Sequence, residues 1–319
     1  MPGQPTPQDL HVNGLLTNVS IGYINPTYIA DQVFPVVPVM KQSDIVPRYN
    51  QSFWFRDDAR VRAAGTKSEG GGWTVDTSMT YFANRFSRRF EIPDELRRNA
   101  DAPWNLDAEA ARFVTDKVQM RREVKFATDQ FVTGIWGTDK DGGTDFTKWS
   151  DYGASTPDVD VDTYKDAVEA LTGVEPNKMV LGKQVHIQLK NHPALVDRIK
   201  YTQRAQLTPD LIASLLELES YLVGRSIYTT TLEGIAETSV SYTRIWGKNA
   251  LLVYVPSAPS LITPAAGYTF AWQVVPNALQ YIKRMRDEEK EIDIIEANSY
   301  FDQKLTAANA GAFLESAVA

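Results

Sequence analysis

The pattern of apolar and polar positions between residues 44 and 92 predicts a long β-hairpin. Apolar and polar residues alternate from 73 to 81, and this period of two is typical of a half-buried strand. A second apolar run occupies positions 45 to 55, and the polar middle contains Gly70, Gly71 and Gly72. Because an isolated hairpin is only marginally stable in water, something must cover its apolar face, and a neighbouring subunit is one candidate.

Apolar residues at spacings of three and four predict a long helix over residues 106–133. Asn105 can cap its start, and Gly134 follows its end. At 1.5 Å per residue the helix would be about 42 Å long, the length of a spine that crosses a sheet. The predicted apolar stripe consists of Leu106, Ala110, Phe113, Met120, Val124, Ala127 and Phe131. The predicted polar face holds Arg112, Asp116, Arg122, Glu123 and Asp129.

Residues 1–40 combine frequent prolines with many apolar side chains. The prolines are Pro2, Pro5, Pro7, Pro26, Pro35 and Pro38. They recur too often for a compact helix or a central strand, yet a disordered tail would not need this much apolar surface. An arm that docks on another molecule and a segment that packs on its own domain both fit this pattern.

The rest of the chain mixes helix and strand patterns and then becomes rich in strands. In chain order we predict a helix from Asp162 or Thr163, a buried strand at 179–181, a helix at about 183–191, a helix from Pro209 to Gly224, several strands, a charged turn at 284–290 and a strand at 291–301. Together with the hairpin and the long helix, these elements predict an α+β fold of two intimately joined domains.

Composition excludes several kinds of site. The 319 residues include no cysteine, which excludes disulfides, thiolate nucleophiles and zinc bound by cysteine. No apolar run approaches the roughly 20 residues of a transmembrane helix, so no membrane partner is predicted. The N-terminus lacks the basic start and apolar core of a secretory signal. The net charge of -7 disfavours tight binding of free duplex DNA, although an acidic protein can still enclose DNA.

The three histidines do not form a metal or catalytic site. His186 and His192 are six positions apart, whereas helical metal pairs are usually four apart. We therefore interpret them as surface or packing residues. His11 is distant from both in the sequence.

Two groups of aspartates have partial metal-site patterns. Asp139, Asp141 and Asp145 resemble part of a calcium loop, but the twelfth position holds Ser150 instead of the glutamate that such loops use. The alternating Asp158, Asp160 and Asp162 are interpreted as a solvated turn with an N-cap, and a divalent cation at a subunit contact is the alternative. We assign no catalytic residue, no cofactor and no metal ligand.

Positive charge concentrates near the base of the hairpin and along the long helix. The arginines are Arg85, Arg88, Arg89, Arg97, Arg98, Arg112, Arg121 and Arg122. Acids are interleaved with them, which favours salt bridges between subunits. A DNA-facing surface and an ordinary solvated face are the alternatives.

The order of these parts resembles the tailed-bacteriophage major capsid protein family, which has the Hong Kong 97-like fold. The resemblance covers nearly the whole chain and includes a helix, turn, strand and helix pattern at 166–200. It implies an N-terminal arm at 1–43, an extended β-hairpin loop at 44–92, a peripheral domain with a spine helix at 93–157, an axial domain at 158–256 and a peripheral return at 257–319.

This resemblance implies self-assembly. Hexamers and pentamers would build an icosahedral shell around double-stranded phage DNA, which is held without sequence specificity. Each extended loop would lie over a neighbour. The hypothesised contact residues are Trp54, Arg60, Arg62, Lys67, Trp73, Arg85, Arg88 and Arg89. Scaffold, portal and decoration proteins are further implied partners, and the expected location is the virion after assembly in the host bacterial cytoplasm.

The chain departs from some relatives in two ways. Some carry a scaffolding domain of about 100 residues before the arm, the size of one small domain. The resemblance then implies either that such a segment is removed or that a separate scaffold protein assists assembly. Some relatives also crosslink a loop lysine to an asparagine of a neighbour, and Lys67 occupies a comparable position.

Three alternatives remain at this point. An encapsulin-like shell would share the fold and hold cargo enzymes. A soluble hydrolase would need an organised catalytic group, which the sequence does not show. A β-rich adhesin or tail protein would not need the long amphipathic helix.

Overall fold

The computed structural model describes residues 27–100, 105–199, 207–258, 265–274 and 279–319. Predictions for residues 1–26, which include most of the arm and His11, lie outside the described residues. None of the helices in these ranges combines the length and the apolar character that crossing a membrane would require.

The helices of the described ranges are dominated by one long element, α4. In chain order they are α1 (Ala30–Val33), α2 (Gln51–Trp54), α3 (Asp94–Asn99), α4 (Leu106–Asp129), α5 (Pro157–Thr172), α6 (Lys183–Asn191), α7 (Pro193–Ile199) and α8 (Pro209–Leu215). Single turns of 3-10 helix lie at Glu237–Ser239 and Ala308–Ala310.

The strands are mostly short, apart from one long strand near the C-terminus. In chain order they are β1 (Val36–Val39), β2 (Ser43–Ile45), β3 (Arg48–Tyr49), β4 (Val75–Asp76), β5 (Thr80–Phe82), β6 (Asn84–Pro93), β7 (Thr138–Asp141), β8 (Lys178–Gly182), β9 (Ser220–Gly224), β10 (Ile227–Tyr228), β11 (Thr243–Arg244), β12 (Ala250–Val253), β13 (Gly267–Trp272), β14 (Gln280–Asp287), β15 (Ile292–Leu305) and β16 (Gly311–Glu315).

The first large sheet is built around β15. Its order is β1-β13-β15-β14, and β6 pairs with the opposite side of β15. Helix α4 packs on this sheet by placing Ala110, Val114 and Val118 against Ile92 and Ile295. The predicted role of the long helix as a spine across a sheet is therefore confirmed.

The second large sheet has the order β7-β16-β12-β8-β9. Successive side chains of its central strands point to opposite faces, so each strand contributes to two cores. Met179 and Leu252 join the core on the face covered by α5 to α8, whereas Val180 and Leu251 join the other core. An aromatic cluster occupies that second face and consists of Phe34, Phe126, Phe131, Trp136 and Trp246. Because Phe34 follows α1 and Phe126 lies on α4, this cluster joins the two halves of the protein.

Three strands pair across the predicted domain boundaries. Strand β16 falls in the predicted peripheral return at 257–319, but it pairs with β12 of the 158–256 segment. Strand β7 falls in the predicted 93–157 domain, but it pairs with β16 in the same sheet. Strand β6 likewise begins inside the predicted 44–92 loop and belongs to the first sheet. The mixed helices and sheets agree with the predicted α+β class.

The buried face of α4 differs from the predicted stripe. Ala110 is buried as expected, but Phe113 is 39% exposed, and Val114, Val118 and Phe126 are buried instead. The helix also ends at Asp129, four residues before the predicted end at 133. The spacing of apolar residues alone predicted the wrong buried face of α4, because polar residues occupy part of the face that is actually buried.

Arg122 and Glu123 are the polar residues on that true face. The prediction that placed them on the face opposite the apolar stripe was wrong, because Arg122 is 6% exposed and Glu123 is fully buried. Both find hydrogen-bond partners inside the protein, which makes their burial possible.

The predicted hairpin is paired only at its base. β2 pairs with β5, and β3 pairs with β4, both antiparallel. The first predicted strand continues as the short helix α2 instead, and residues 55–74 contain no strand. From here on, the name extended loop is restricted to residues 55–74, a narrower range than the predicted 44–92 loop.

Three other boundaries differ from prediction. Helix α5 begins at Pro157, so Asp158 and Asp160 lie in its first turn and do not precede it. Helix α8 ends at Leu215, and the remaining predicted helical residues include β9. Much of the predicted charged turn at 284–290 belongs to β14. The strand around 179–181 and the helix at 183–191 are confirmed.

A close backbone contact at Gly182 provides the first testable prediction. A Cβ atom at this position would collide with the backbone carbonyl oxygen of Gly247, which cannot move as a side chain can. We expect Gly182→Ala to lower the free energy of unfolding by about 1–3 kcal/mol. Gly70→Ala is the control, because nothing lies within 4 Å of its Cβ position. Equal urea denaturation midpoints for the two variants would contradict this packing.

Candidate interaction surface

The extended loop and its base expose large apolar side chains. Trp54 is 55% exposed, Phe55 66% and Trp73 56%. Tyr49 on β3 brings the two tryptophans together, because its ring centroid lies 5.8 Å from that of Trp54 and 5.2 Å from that of Trp73. This surface, called the aromatic patch, consists of Tyr49, Trp54, Phe55 and Trp73.

Polar contacts hold the base of the extended loop in place. Arg48 Nη2 lies 2.6 Å from Asp76 Oδ2 across the β3–β4 pair. Asn50 Nδ2 donates a 3.0 Å hydrogen bond to Thr74 Oγ1. Hydrogen bonds from Ser78, followed by that from Arg48, lower the pKa of Asp76 to about 2. The carboxylate therefore stays charged at neutral pH and fixes the orientation of the loop base.

The aromatic patch also touches α5 of the same chain. Gln51 Nε2 donates a hydrogen bond to the Leu171 carbonyl oxygen near the end of that helix. The Phe55 ring lies against Gly173, where the φ angle of 70° favours glycine. These contacts place the aromatic patch beside the second sheet and leave most of its rings in solvent.

The cations predicted for the loop lie at its tip. Arg60, Arg62 and Lys67 are all exposed, and every residue from 56 to 72 is exposed as well. The structure thus brings Trp54 and Trp73 together but leaves these three cations apart from them on the irregular segment. Their contact with another subunit stays a prediction.

The three arginines predicted on β6 pair within their own chain. Arg85 lies 2.6 Å from Glu296, Arg88 lies 3.4 Å from Glu233, and Arg89 lies 3.0 Å from Glu91. Exposed pairs of this kind contribute little stability, about 0–1 kcal/mol. Their predicted role in bridges between subunits is not tested by these contacts.

A buried carboxylate that the sequence did not reveal connects three segments of the chain. Glu123 on α4 accepts hydrogen bonds from the backbone N–H groups of Ile29 and Ala30 and from Trp246 Nε1, at 3.1, 2.9 and 2.6 Å. Beside it, Arg122 donates to Asp31 at 2.7 Å and to Ser299 at 3.0 Å. The start of α1 is thereby attached to the spine helix, to Trp246 and, through Arg122 and Ser299, to the first sheet.

The electrostatics of Glu123 are set mainly by its burial. Burial raises the pKa of its carboxyl group, and the hydrogen bonds from Ala30, Ile29 and Trp246 oppose that rise. No sequence signal identified this residue, because its partners are distant along the chain.

The described histidines serve as packing residues. His192 Nε2 lies 2.9 Å from Ser155 Oγ, which resembles a nucleophile and base pair. However, His192 Nδ1 accepts the backbone N–H of Ala194, so Nε2 carries the proton and donates to the hydroxyl. A ring in this tautomer cannot take a proton from Ser155. Burial is also the main cause that lowers the pKa of His186 to about 4.

No group of three potential ligands close enough to hold a metal ion occurs among the described residues. Of the aspartates with a partial calcium pattern, Asp145 accepts from the Asp141 backbone and from Lys140. Asp158 accepts from Arg198 at 2.6 Å.

Comparisons with known proteins identify chains that are similar to this one in sequence and in fold. No family model matches the sequence. The major capsid protein of Burkholderia phage BcepMu is 27% identical over 311 residues, which are 94% of each chain. The crystal structure of a phage-related protein from Bordetella bronchiseptica RB50 is similar over 96% of this chain and 97% of that one, with a TM-score of 0.71 and 23% identity. The capsid structure of cyanophage P-SCSP1u covers 97% and 93% of the two chains, with a TM-score of 0.63 and 10% identity.

The chain is thus similar over nearly its whole length to a phage major capsid protein, and its fold is the Hong Kong 97-like fold of phage capsids. This capsid protein also resembles an encapsulin from Synechococcus elongatus, with a lower TM-score of 0.51 and 10% identity over 94% of this chain and 93% of that one. Its role is structural, in a capsid.

Proposed function

We propose that this chain assembles through hexamers and pentamers into an icosahedral shell that encloses double-stranded phage DNA. The observation that carries this proposal is the aromatic patch, which is firmly attached at its base and largely uncovered in the single chain. Exposed apolar surface of this kind, rimmed by polar residues, is typical of an interaction site.

The extended loop lies over an adjacent subunit, which covers the rings of Trp54, Phe55 and Trp73. Burying one large apolar side chain contributes roughly 1.5–3 kcal/mol. The gain is repeated at every equivalent contact of a closed shell, so modest pairwise affinity suffices for assembly. The charged tip residues Arg60, Arg62 and Lys67 contact the same neighbour. Arg85, Arg88 and Arg89 on β6 supply further salt bridges between subunits.

The interior of the shell encloses DNA without binding it tightly, and the net charge of -7 favours such weak binding. The chain acts without a catalytic step and without a cofactor. Scaffold, portal and decoration proteins complete the particle, which is built in the host cytoplasm.

A shell that holds cargo proteins is the second candidate, since an encapsulin shares the fold. Nucleic acid and protein assays of particles purified from infected cells separate the two.

Sedimentation velocity and negative-stain microscopy of the purified chain test this function. We expect shells, sheets, or rings of five and six at concentrations in the micromolar range. A chain that stays monomeric across salt concentrations and in the presence of crowding polymers would contradict the proposal.

A further inference from the structure

We infer that opposite edges of the second sheet carry complementary charges through which successive copies of this chain contact each other around a ring. The inference rests on the proposed function, since it assigns a second interface to the same assembly. One surface, the basic edge, consists of Lys183, Lys190, Arg225 and Arg244. The other, the acidic stripe, consists of Asp162, Asp166 and Glu169.

Strand register assembles the basic edge. Gly182 and Gly224 are paired at the ends of the parallel strands β8 and β9, and Lys183 and Arg225 are the residues that directly follow each strand. Neighbouring strands are about 4.8 Å apart, so the two cations emerge side by side. Strand β9 is the last strand of the sheet among the described residues.

The other two cations approach from adjacent elements. Arg244 on β11 pairs with Ile227 on β10, two residues after Arg225. Lys190 lies seven residues after Lys183 on α6, which places both on one face of that helix. Burial lowers the pKa of Lys183, and the nearby charges of Arg225, Lys190 and Arg244 lower it further. Like charges are thus gathered here at a cost to the isolated subunit.

No acid of the described chain compensates this cluster by an ion pair. None of the salt bridges between residues that the structure describes involves Lys183, Lys190, Arg225 or Arg244. Arg225 and Arg244 are exposed. By contrast, Arg85, Arg88 and Arg89 each pair with an acid, so the basic edge differs from the other cationic surface of the chain.

The acidic stripe is the matching surface. Asp162, Asp166 and Glu169 are exposed and spaced by four and three residues, so they share one face of α5. Like charges at these spacings destabilise a helix, and no ion pair within the described chain offsets them. Helix α5 packs on β16 and β7, nearer the β7 edge of the sheet than the β9 edge, although Lys165 on its buried side donates to the Leu216 carbonyl oxygen.

The sheet geometry makes these surfaces suitable for a head-to-tail contact. Four strand spacings separate β7 from β9, roughly 19 Å at about 4.8 Å each. A subunit with opposite charges at two such edges attracts the next copy in the same orientation. A heterologous contact of this kind closes into a ring when the rotation allows it. Complementary charge also selects the correct edge and disfavours the reversed one.

A charge-reversal cycle tests the inference. Variant A is Lys183→Glu, Lys190→Glu, Arg225→Glu and Arg244→Glu, and variant B is Asp162→Lys, Asp166→Lys and Glu169→Lys, so that each surface changes sign. Each places like charges across the contact, and we expect each to raise the critical concentration for assembly at least about tenfold. Both changes in one chain restore attraction, so the combined variant should assemble at nearly the wild-type concentration. Glu289→Lys is the control for reversing an exposed acid elsewhere.

Mixing variants A and B gives a sharper result. Their subunits attract only in alternation, which an even-numbered ring permits and a five-membered ring does not. We expect the mixture to form six-membered rings and to be depleted of five-membered ones in electron micrographs. Thermal unfolding of each variant, monitored by circular dichroism, should match the wild type because none of the substituted side chains is buried in the core.

The outcomes separate this inference from the proposed function. A wild-type chain that never assembles overturns both. Normal assembly of A and B overturns only the charged contact. Failure of the combined variant to recover, with loss of DNA from the particles of variant A, would assign the basic edge to nucleic acid and overturn the contact.

Discussion

Replacing residues 56–72 by a short glycine–serine linker is expected to give a chain that folds normally and no longer assembles. Every residue in this range is exposed, so its removal takes nothing from either core. The contacts that define the loop base, such as Arg48 with Asp76, lie outside the replaced range. Sedimentation velocity should show a monomer, while circular dichroism and the thermal midpoint stay at the wild-type values.

A finer version of this experiment tests the aromatic patch itself. Trp54→Ala with Trp73→Ala removes two rings whose burial against a neighbour would contribute roughly 1.5–3 kcal/mol each. We expect the critical concentration for assembly to rise by more than about tenfold, because 1.4 kcal/mol already corresponds to that factor. Leu232→Ala is the control, since Leu232 is an exposed apolar residue outside the loop, at 81% exposure. Shells of unchanged yield from the linker variant would contradict the role of the loop.

Glu123→Ala is expected to cause the largest loss of stability of any single substitution considered. It leaves the N–H groups of Ile29, Ala30 and Trp246 buried without an acceptor. An orphaned buried polar group costs about 1–3 kcal/mol, so we expect the free energy of unfolding to fall by about 3–5 kcal/mol. Urea denaturation of the monomeric chain measures this loss.

The matched control for this substitution lies on the same helix. Asp129 pairs with Lys125 at the surface, and Asp129→Ala should cost less than about 0.5 kcal/mol. A similar loss for both variants would mean that Glu123 does not connect α1 and Trp246 to the spine helix.

Because the pKa of Glu123 is raised, its contribution to the free energy of unfolding should decrease as the pH rises. A carboxyl group whose pKa is higher in the folded state than its ordinary value of 4.5 binds its proton more tightly when folded. Its contribution to stability is therefore fully present below pH 4.5 and decreases as the pH rises through the raised value. Glu123→Gln removes this decrease. Urea titrations at several pH values should show that the free energy of unfolding of the wild type increases, relative to that of Glu123→Gln, as the pH falls through this window.

The sequence predicted best where local rules decide the structure. The strand at 179–181 and the helix at 183–191 follow directly from a buried apolar run and its neighbours. Thr208 caps α8 by accepting from the Leu211 backbone, as the threonine–proline pair indicates.

The same rules failed where contacts between residues distant in the sequence determine the structure. The face of α4 was misplaced because Arg122 and Glu123 occupy positions that an apolar pattern assigns to solvent, and only Asp31, Ser299 and Trp246 make their burial possible. The strand predicted through Trp54 is a short helix instead, and among the described residues no strand pairs with this segment. The aromatic patch was foreseen in part, because exposed tryptophans flanking a polar loop are visible in sequence.

Sheet membership was the other feature that the sequence could not show. Strand β16 inserts between β7 and β12, although its neighbours along the chain lie close to the first sheet. Pairing over such separations depends on the whole fold and leaves no local pattern.

Cryo-electron microscopy of the particles formed by the full chain tests the central claim most directly. We expect a closed shell in which the density of residues 55–74 lies on an adjacent subunit and covers Trp54 and Trp73. A particle in which this segment contacts only its own subunit, with both tryptophans in solvent, would contradict the account.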